Sequence, residues 1–168
     1  MSKLKEQINK ERIDAWAEAD IVVEKHTEEK STSKYGNKRL RVNGVLYDSI
    51  REYYRHLELK ILEKHGLISD LRFHHSDDVL LVVSNPNVRY IPDFTYKNSE
   101  GVKVVEDVKG MQTPDFIIKK KIVISRVRTG EYDFIYKLTR KYKAGFQAFE
   151  EYSKNQTYVK PKQKRKKK

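Results

Sequence analysis

The sequence has no cysteine, and among its 168 residues there are only 7 glycines and 4 prolines. A chain without cysteine forms neither disulfide bonds nor thiolate metal sites. Also missing are an apolar run of the about 20 residues that a membrane span needs and the basic-then-apolar start of a signal peptide. We therefore predict a cytoplasmic protein with no membrane partner.

Acidic residues are absent from the C-terminal segment KPKQKRKKK at 160–168, although the whole chain carries a net charge of +12. This segment has no apolar surface to bury and its like charges repel, so we predict a disordered basic tail. A polyanion suits such a tail because each neutralised phosphate releases counterions, and nucleic acid is the expected partner. A solubilising role is the alternative. The predicted contacts in the tail are Lys162, Lys164, Arg165, Lys166, Lys167 and Lys168.

Charged residues make up 36% of the chain and apolar residues 38%, which favours a compact domain with polar extensions. The length allows one domain with a core and is too short for two. The predicted division is an N-terminal helical extension and linker at 1–32, a folded domain at 33–152 and the tail at 153–168. The extension has few apolar positions, so we expect its helix to pack on the domain or on a second copy of the chain, as in a homodimer.

Turn and cap signals divide the domain into helices and strands. Asn43-Gly44 predicts a hairpin turn, Gly66 the end of one helix and Thr113-Pro114 the start of another. After the hairpin, the predicted elements are helices at 49–65, 113–126 and 142–152, with strands at 68–73, 79–83, 90–96, 102–109 and 132–138. This order predicts an α/β (α+β) fold with a mixed sheet of about four or five strands flanked by helices.

Charged residues stand where buried strands usually carry none. Side chains alternate across a strand, so Asp107 and Lys109 share one face of the strand at 102–109. If the segment that contains Asp93 is the neighbouring strand, two carboxylates and one ammonium meet at one end of the sheet. Close carboxylates repel one another and need a compensating charge, which Lys109 and a hard cation such as Mg²⁺ would supply. An ordinary ion pair at the strand end is the alternative.

The pair Pro92-Asp93, followed after thirteen residues by Asp107-Val108-Lys109, resembles the motif of the PD-(D/E)XK nuclease superfamily. The segments SKYGNKRLRVNGVLYDS and RYIPDFTY look like a phage-encoded family within it. The resemblance spans about 33–138 and implies a restriction-endonuclease-like core. It also implies that Asp93 and Asp107 bind Mg²⁺ (or Mn²⁺), that Lys109 is catalytic, and that Glu52 on the first core helix is a third acid at the site. Phage nucleases of this superfamily include enzymes that resolve branched DNA such as Holliday junctions.

Several of these residues have a second interpretation. Ser49 to Glu52 also forms a capping-box pattern, in which Glu52 stabilises the start of its helix. Glu106 competes with Asp107, but only Asp107 stands two residues from Lys109. Asp115 is explained by the favourable charge of an acid at a helix start. His74-His75 with Asp77-Asp78 is either a separate transition-metal site or a polar strand end; adjacent strand residues face opposite ways, which favours the strand end.

The helix start at 113–126 is close to the predicted site and suits phosphate binding. Gln112, Lys119, Lys120 and Lys121 are therefore predicted to bind nucleic acid, with a solvated helix face as the alternative. Together these features predict a metal-dependent endodeoxyribonuclease that acts on branched DNA. The alternatives are a non-catalytic nucleic-acid-binding or regulatory protein on the same fold, and a nicking or replication-linked nuclease.

Overall fold

The computed structural model describes residues 2–26, 39–84, 86–143 and 146–154, with backbone alone for 2, 24–26, 141–143 and 146–148. The predicted linker and the predicted tail contacts from Lys162 to Lys168 lie outside these residues. The helices are α1 (Ser2–His26), α2 (Ile50–Lys64) and α3 (Pro114–Thr129), with one 3-10 turn at Ser76–Asp78. The strands are β1 (Leu40–Val42), β2 (Val45–Tyr47), β3 (Ile68–Phe73), β4 (Leu80–Val83), β5 (Val88–Tyr90), β6 (Phe94–Asn98), β7 (Lys103–Val108), β8 (Ile135–Lys143) and β9 (Phe146–Tyr152).

Five strands form the central sheet in the order β3-β6-β7-β8-β9. Neighbouring strands are antiparallel except β7 and β8, which run parallel. A parallel pair needs a long crossover connection, and α3 provides it. The two short hairpins, β1-β2 and β4-β5, form separate two-stranded sheets. The predicted α/β class and the mixed sheet of about five strands are confirmed.

Local signals explain where the helices begin and end. Ser49 caps α2 by accepting a hydrogen bond from the Glu52 N–H, and Thr113 caps α3 in the same way with Pro114 at the first helical position. Gly130 ends α3 in the left-handed region at φ 78°, which a residue with a side chain adopts at a cost. The Asn43-Gly44 turn joins β1 to β2 with both residues at positive φ. The predicted starts and the turn are confirmed, and so is the predicted stop at Gly66, which follows the end of α2 in the left-handed region at φ 69°.

Strand β7 is buried on both faces of the sheet, and its alternating side chains separate two layers of core. On the α3 face, Val105 packs in a cluster with Phe116 and Tyr136. On the α2 face, Val104 and Val108 pack with residues that include Leu59, Ile68, Phe94 and Tyr96. Each such large apolar side chain contributes roughly 1.5–3 kcal/mol when it is fully buried, so β7 is held rigidly in the middle of the molecule.

Helix α1 packs on the rest of the chain through its few apolar residues. Ala19 is 1% exposed and lies in a cluster with Leu40, Tyr47 and Tyr53. Arg12 reaches from α1 to Glu58 of α2, with Nη2 2.8 Å from Oε1. Of the two expected surfaces for this helix, the domain is the one that it contacts here. No helix among the described residues has both the length and the apolar character to cross a membrane.

Two predicted elements are wrong. The segment predicted as a closing helix is strand β9, because the free edge of β8 offers backbone partners that outweigh the helix propensity of this Ala-, Gln- and Glu-containing segment. Cross-strand ion pairs add to the pairing, with Lys137 3.3 Å from Glu151 and Arg140 3.1 Å from Glu150. The strand predicted at 90–96 is two strands, β5 and β6, because Pro92 between them has no N–H for a ladder.

Candidate acidic site at the end of the sheet

The antiparallel pairing of β6 and β7 brings the predicted acids together. Phe94 of β6 is paired with Glu106 of β7, so Asp93, just before β6, lies beside Asp107 at the end of β7. Lys109 follows two residues later and extends from the same face as Asp107. Pro92 and the start of β6 therefore place one carboxylate against the C-terminal end of the central strand. The sequence-based expectation that these three charges converge agrees with the geometry.

The ammonium of Lys109 lies between the two carboxylates. Its Nζ is 2.8 Å from Asp107 Oδ1 and 3.4 Å from each oxygen of Asp93. Burial opposes the charge of this ammonium, but the charges of Asp107 and then Asp93 outweigh burial and raise the pKa of Lys109. Its side chain also lies over the ring of Phe116, with Nζ 5.5 Å from the centroid. Lys109 therefore stays positively charged over the whole physiological pH range.

Asp107 is completely buried, and its charge is poorly compensated. Its Oδ1 lies 2.8 Å from the Lys109 ammonium, and neither of its oxygens has a further hydrogen-bond donor among the described residues. Burial raises the pKa of Asp107, and the charge of Lys109 only partly opposes this shift. Buried polar atoms without partners are rare, because each one costs about 1–3 kcal/mol. The two oxygens are thus suited to a ligand that is a cation.

Asp93 is held more firmly than Asp107. Its Oδ2 accepts the Val108 N–H at 2.7 Å, and its Oδ1 lies 3.4 Å from Nε2 of His74. Asp93 is 5% exposed and Asp107 is 0% exposed, so Asp93 is the more accessible of the two carboxylates. Backbone and imidazole contacts therefore fix the orientation of this carboxylate and leave Lys109 as its link to Asp107.

Glu52 caps its helix and lies close enough to the acidic site to interact with its charges. Its carboxylate accepts hydrogen bonds from the Asp48 N–H and the Ser49 hydroxyl, both at 3.0 Å, so it does stabilise the start of α2. Burial, followed by the negative charge of Asp93, raises the pKa of Glu52 to about 7, while Lys109 opposes the shift. The carboxylate is 4% exposed and is electrostatically part of the acidic site. Capping contacts are present, and they leave the predicted metal role open.

His74 belongs to the site and was not predicted to do so. It has a left-handed backbone at φ 45°, its N–H donates to the Asp93 carbonyl at 3.1 Å, and its ring stacks on Phe73. The hydrogen bond to Asp93 raises the pKa of His74 although burial lowers it. From the sequence, His74 was considered only together with His75 for a separate metal site. Its place beside Asp93 depends on the pairing of Phe73 with Phe94, which the sequence does not reveal.

The four residues considered as a separate metal site do not converge. His74 turns toward Asp93, whereas His75 accepts a hydrogen bond from the Asp77 N–H at the 3-10 turn. Asp78 is buried and accepts from the Thr95 hydroxyl and the Lys103 ammonium, both at 2.6 Å. The polar-strand-end interpretation describes His75 and both aspartates.

Glu106, the rival of Asp107, faces the opposite layer of the core. Its carboxylate binds the Arg55 guanidinium at 2.6 and 3.0 Å and accepts hydrogen bonds from Tyr96 and Thr139. Burial is the largest influence on its pKa, but Arg55 reverses that effect and the pKa of Glu106 is lowered. Its lone pairs are occupied, so it has no capacity left for a further ligand at the acidic site.

The predicted phosphate contacts around α3 do not share one face. Lys120 is 9% exposed and donates to Gln112 Oε1 at 3.0 Å, and burial lowers its pKa. Lys119 forms an ion pair with Asp115 at 3.2 Å, which agrees with the helix-start interpretation of that acid, and Lys121 is exposed. Consecutive residues of a helix point about 100° apart, so the three lysines differ in surroundings. Of the predicted group, Lys121 is the most available to a phosphate.

The donor atoms at the site fit a hard cation. Among the described residues, no three His, Asp or Glu side chains are arranged to hold an ion as they stand. The Lys109 ammonium lies between Asp93 and Asp107 instead, and apart from it the Asp107 oxygens have no donor in the described ranges. Carboxylate oxygens with water and phosphate oxygens are the ligands that Mg²⁺ prefers. A bound Mg²⁺ or Mn²⁺ would therefore be held by Asp93 and Asp107, with Glu52 nearby as the third acid.

A mixed α/β protein with a cluster of acids at the end of its central strand is the class that fold and site define. A family model described as "Protein of unknown function (DUF1064)" matches residues 32–144, which include the whole acidic site. The chain belongs to this DUF1064 family. Comparisons with curated proteins and with solved structures gave no match.

Proposed function

We propose that the protein is a Mg²⁺-dependent endodeoxyribonuclease with a PD-(D/E)XK-like core. The observation that carries the proposal is Asp107, a fully buried carboxylate beside Asp93 that has no donor other than the Lys109 ammonium in the described part of the chain. A structural ion pair would be expected to satisfy its acid as Glu106 is satisfied. Leaving a buried acid without donors is costly, and catalytic and binding sites are where such costs are found.

Each side chain has a part in this chemistry. Asp93 and Asp107, with Glu52, would hold Mg²⁺, for which Mn²⁺ would substitute; the bound ion would polarise a phosphodiester and activate a water molecule. Lys109 is a cation with a raised pKa, so it would stabilise negative charge on the phosphate and orient the water, and would not act as a base. His74 and the Val108 N–H keep Asp93 in position.

The fold supports the proposal through the order of its elements. The acids lie on one antiparallel hairpin, β6-β7, preceded by α2 and followed by α3 and the parallel strand β8. This is the order that the resemblance to PD-(D/E)XK nucleases implies. Because one fold hosts many functions, the acidic site carries the activity and the fold only raises its plausibility.

Branched DNA, such as a Holliday junction, is the substrate class that we propose. The net charge of +12 and the basic tail suit a polyanion, and a junction brings several phosphate backbones together. A homodimer would present two sites to the two symmetric strands of a four-way junction. The preference for branched over linear DNA rests on the resemblance to phage nucleases.

A second candidate is a non-catalytic nucleic-acid-binding protein. One observation favours it: the Lys109 ammonium already lies between the two carboxylates and offsets part of their charge. In that case the acids would maintain the sheet end and DNA would bind through basic surfaces. A nicking or replication-linked nuclease would share the site of the first candidate and differ in its substrate.

Cleavage assays distinguish these candidates. A labelled four-way junction and a linear duplex of equal length are incubated with the protein in Mg²⁺, Mn²⁺ or EDTA, alongside Asp107→Asn and Lys109→Met. The matched control is Asp115→Asn, which removes an acid that lies outside the cluster and pairs with Lys119. We expect cleavage with either metal, and more of the junction than of the duplex. Both site variants should lose cleavage, and the control should keep it. Binding without cleavage under every metal condition would overturn the nuclease proposal in favour of the second candidate.

A further inference from the structure

Arg51 is a cation beside the acidic site that has no hydrogen-bond or ion-pair partner among the residues that the structure describes. It is the second residue of α2, directly before Glu52, and its side chain is exposed. Within the described part of the chain it forms neither an ion pair nor a hydrogen bond. Its guanidinium lies against Gly110, the residue after Lys109. Five N–H donors are therefore available at the edge of the site.

The position of Arg51 is not explained by the stability of its helix. Positive charge near a helix N-terminus is unfavourable, because the backbone N–H groups there carry partial positive charge. The first turn of α2 otherwise carries the acid Glu52, as helix starts usually do. A guanidinium in this turn would be stabilised by an anion that arrives from outside the chain.

Gly110 makes room for this guanidinium. A methyl group built on Gly110 would overlap Nη1 of Arg51 and lie 2.8 Å from its Cζ. The backbone of Gly110 is not in the left-handed region, so its conformation does not require glycine. Because Gly110 has no side chain, the Arg51 guanidinium can lie next to it. Gly110 directly follows Lys109, which contacts both acids.

We propose that Arg51 binds a phosphate of the nucleic-acid backbone at the acidic site, with Gly110 providing the space for its guanidinium. A planar guanidinium matches two oxygens of one phosphate, which an ammonium cannot do. Arg51 would hold the phosphate from the α2 side while Lys109 faces it from the end of β7. This inference rests on the proposed function, because it takes a nucleic-acid backbone as the ligand.

Two substitutions test the idea from opposite directions. Arg51→Gln removes the charge, whereas Gly110→Ala keeps the charge and displaces the guanidinium, at little cost since the overlapping atoms are the end of a flexible side chain. The matched control is Lys60→Gln, which removes one exposed positive charge from the same helix about 13 Å further along. Arg51→Lys asks whether charge alone is enough. Melting temperatures of all variants verify that they fold.

Binding is measured on the Asp107→Asn background, by titration of a labelled DNA junction in Ca²⁺ at several salt concentrations. We expect Arg51→Gln to weaken binding about tenfold or more and to lower the slope of log affinity against log salt by about 0.9. Gly110→Ala should weaken binding similarly, and the double variant should bind no worse than Arg51→Gln. Arg51→Lys should restore the slope but only part of the affinity.

The outcomes separate this inference from the nuclease proposal. One outcome is that Arg51→Gln and Gly110→Ala bind DNA as Lys60→Gln does on this background, and cleave it as Lys60→Gln does with Asp107 intact. In that case Arg51 only packs against Gly110, and the inference is overturned while the nuclease proposal stands. If the wild type never cleaves DNA but Arg51→Gln lowers affinity and slope as expected, the phosphate site is supported and the catalytic proposal fails. A protein that binds no nucleic acid overturns both.

Discussion

Asp107 and Glu106 are adjacent acids, both completely buried, that differ in their partners. Glu106 is surrounded by the Arg55 guanidinium and two hydroxyl groups, and its pKa is lowered, whereas the pKa of Asp107 is raised by burial. The difference follows from strand alternation, which puts Glu106 toward α2 and Asp107 toward α3. Glu106 is therefore a structural charge, whereas Asp107 has one close cation, Lys109, among the described residues.

The first prediction compares these two acids directly. Asp107→Asn removes a fully buried charge that burial disfavours more than Lys109 stabilises it, so the metal-free protein should become more stable. Cleavage should fall at least about a hundredfold, and stabilisation by Mg²⁺ should be lost. Glu106→Gln should destabilise the fold by up to about 3–5 kcal/mol, since the buried Arg55 loses the charge of Glu106 and keeps that of Glu58. Thermal denaturation with and without Mg²⁺ measures both effects. Equal destabilisation by the two substitutions would mean that Asp107 is a structural acid after all.

His56 supplies the second prediction, on pH. Burial lowers its pKa to about 4, with further lowering by the charges of Lys60 and His74, and its Nδ1 lies 2.8 Å from the Tyr47 hydroxyl. The unfolded chain takes up a proton at His56 near pH 6.5 and the folded chain only near pH 4, so this residue reduces stability as the pH falls through that window.

His56→Gln should remove that pH dependence, whatever it does to the absolute stability. Between pH 6.5 and 5, the free energy of unfolding should fall faster with decreasing pH in the wild type than in the variant, by about 1 kcal/mol per pH unit. Denaturant titrations at a series of pH values provide the measurement. Parallel curves would show that folding does not lower the pKa of His56.

Among the elements, α1 shows how a helix with sparse apolar residues is used. Its attachment depends on Ala19, which is small enough to bring the helix against Leu40 and Tyr53, and on the ion pair from Arg12 to Glu58. Glu58 in turn binds Arg55, and Arg55 pairs with Glu106 on the α2 face of the central strand β7. The N-terminal helix is therefore connected to the core by charge as well as by packing.

The third prediction tests this attachment with one substitution at two positions. Ala19→Leu places a large side chain in a packed contact and should cost about 1–3 kcal/mol of unfolding free energy. Ala17→Leu, on the exposed face of the same helix, should have little effect. Thermal denaturation compares the two variants. Equal melting temperatures would argue that α1 detaches readily in solution and has another partner.

At the scale of the whole molecule, charge is unevenly distributed. Of the net +12, seven positive charges belong to 160–168, outside the described residues, and they are separate in sequence from the acidic site. The site itself is enclosed by the sheet end, α2 and α3. The proposed attraction of DNA and the proposed chemistry at Asp93 and Asp107 should therefore be separable.

The fourth prediction separates them by deleting 160–168. If about three to six of these charges meet phosphates, the slope of log affinity against log salt should fall by roughly 3 to 5 for duplex DNA. Cleavage at saturating substrate should hardly change, because the tail supplies no site residue. Titrations of both chains on junction and duplex at several salt concentrations give the slopes. An unchanged slope would leave the tail a solubilising segment, and loss of the junction preference alone would place shape recognition in the tail.

Local chemistry in the sequence determined much of this protein. Helix caps at Ser49 and Thr113, the Asn43-Gly44 turn and the apolar runs of β3 and β7 were recognisable because each depends on neighbours within a few residues. The convergence of Asp93 with Asp107 and Lys109 was also predictable, since a short hairpin links the two strands and alternation sets their faces.

Tertiary structure decided what depends on distant partners. The segment of β9 favours a helix locally and becomes a strand because β8 presents a free edge. His74 faces Asp93 through the pairing of β3 with β6, and Arg51 meets Gly110 across 59 positions of sequence. Local propensity amounts to tenths of a kcal/mol per residue, whereas backbone pairing and side-chain burial contribute more at each position once the fold has formed. The sequence therefore determines the acids and the hairpin, and the folded chain determines which side chains surround them.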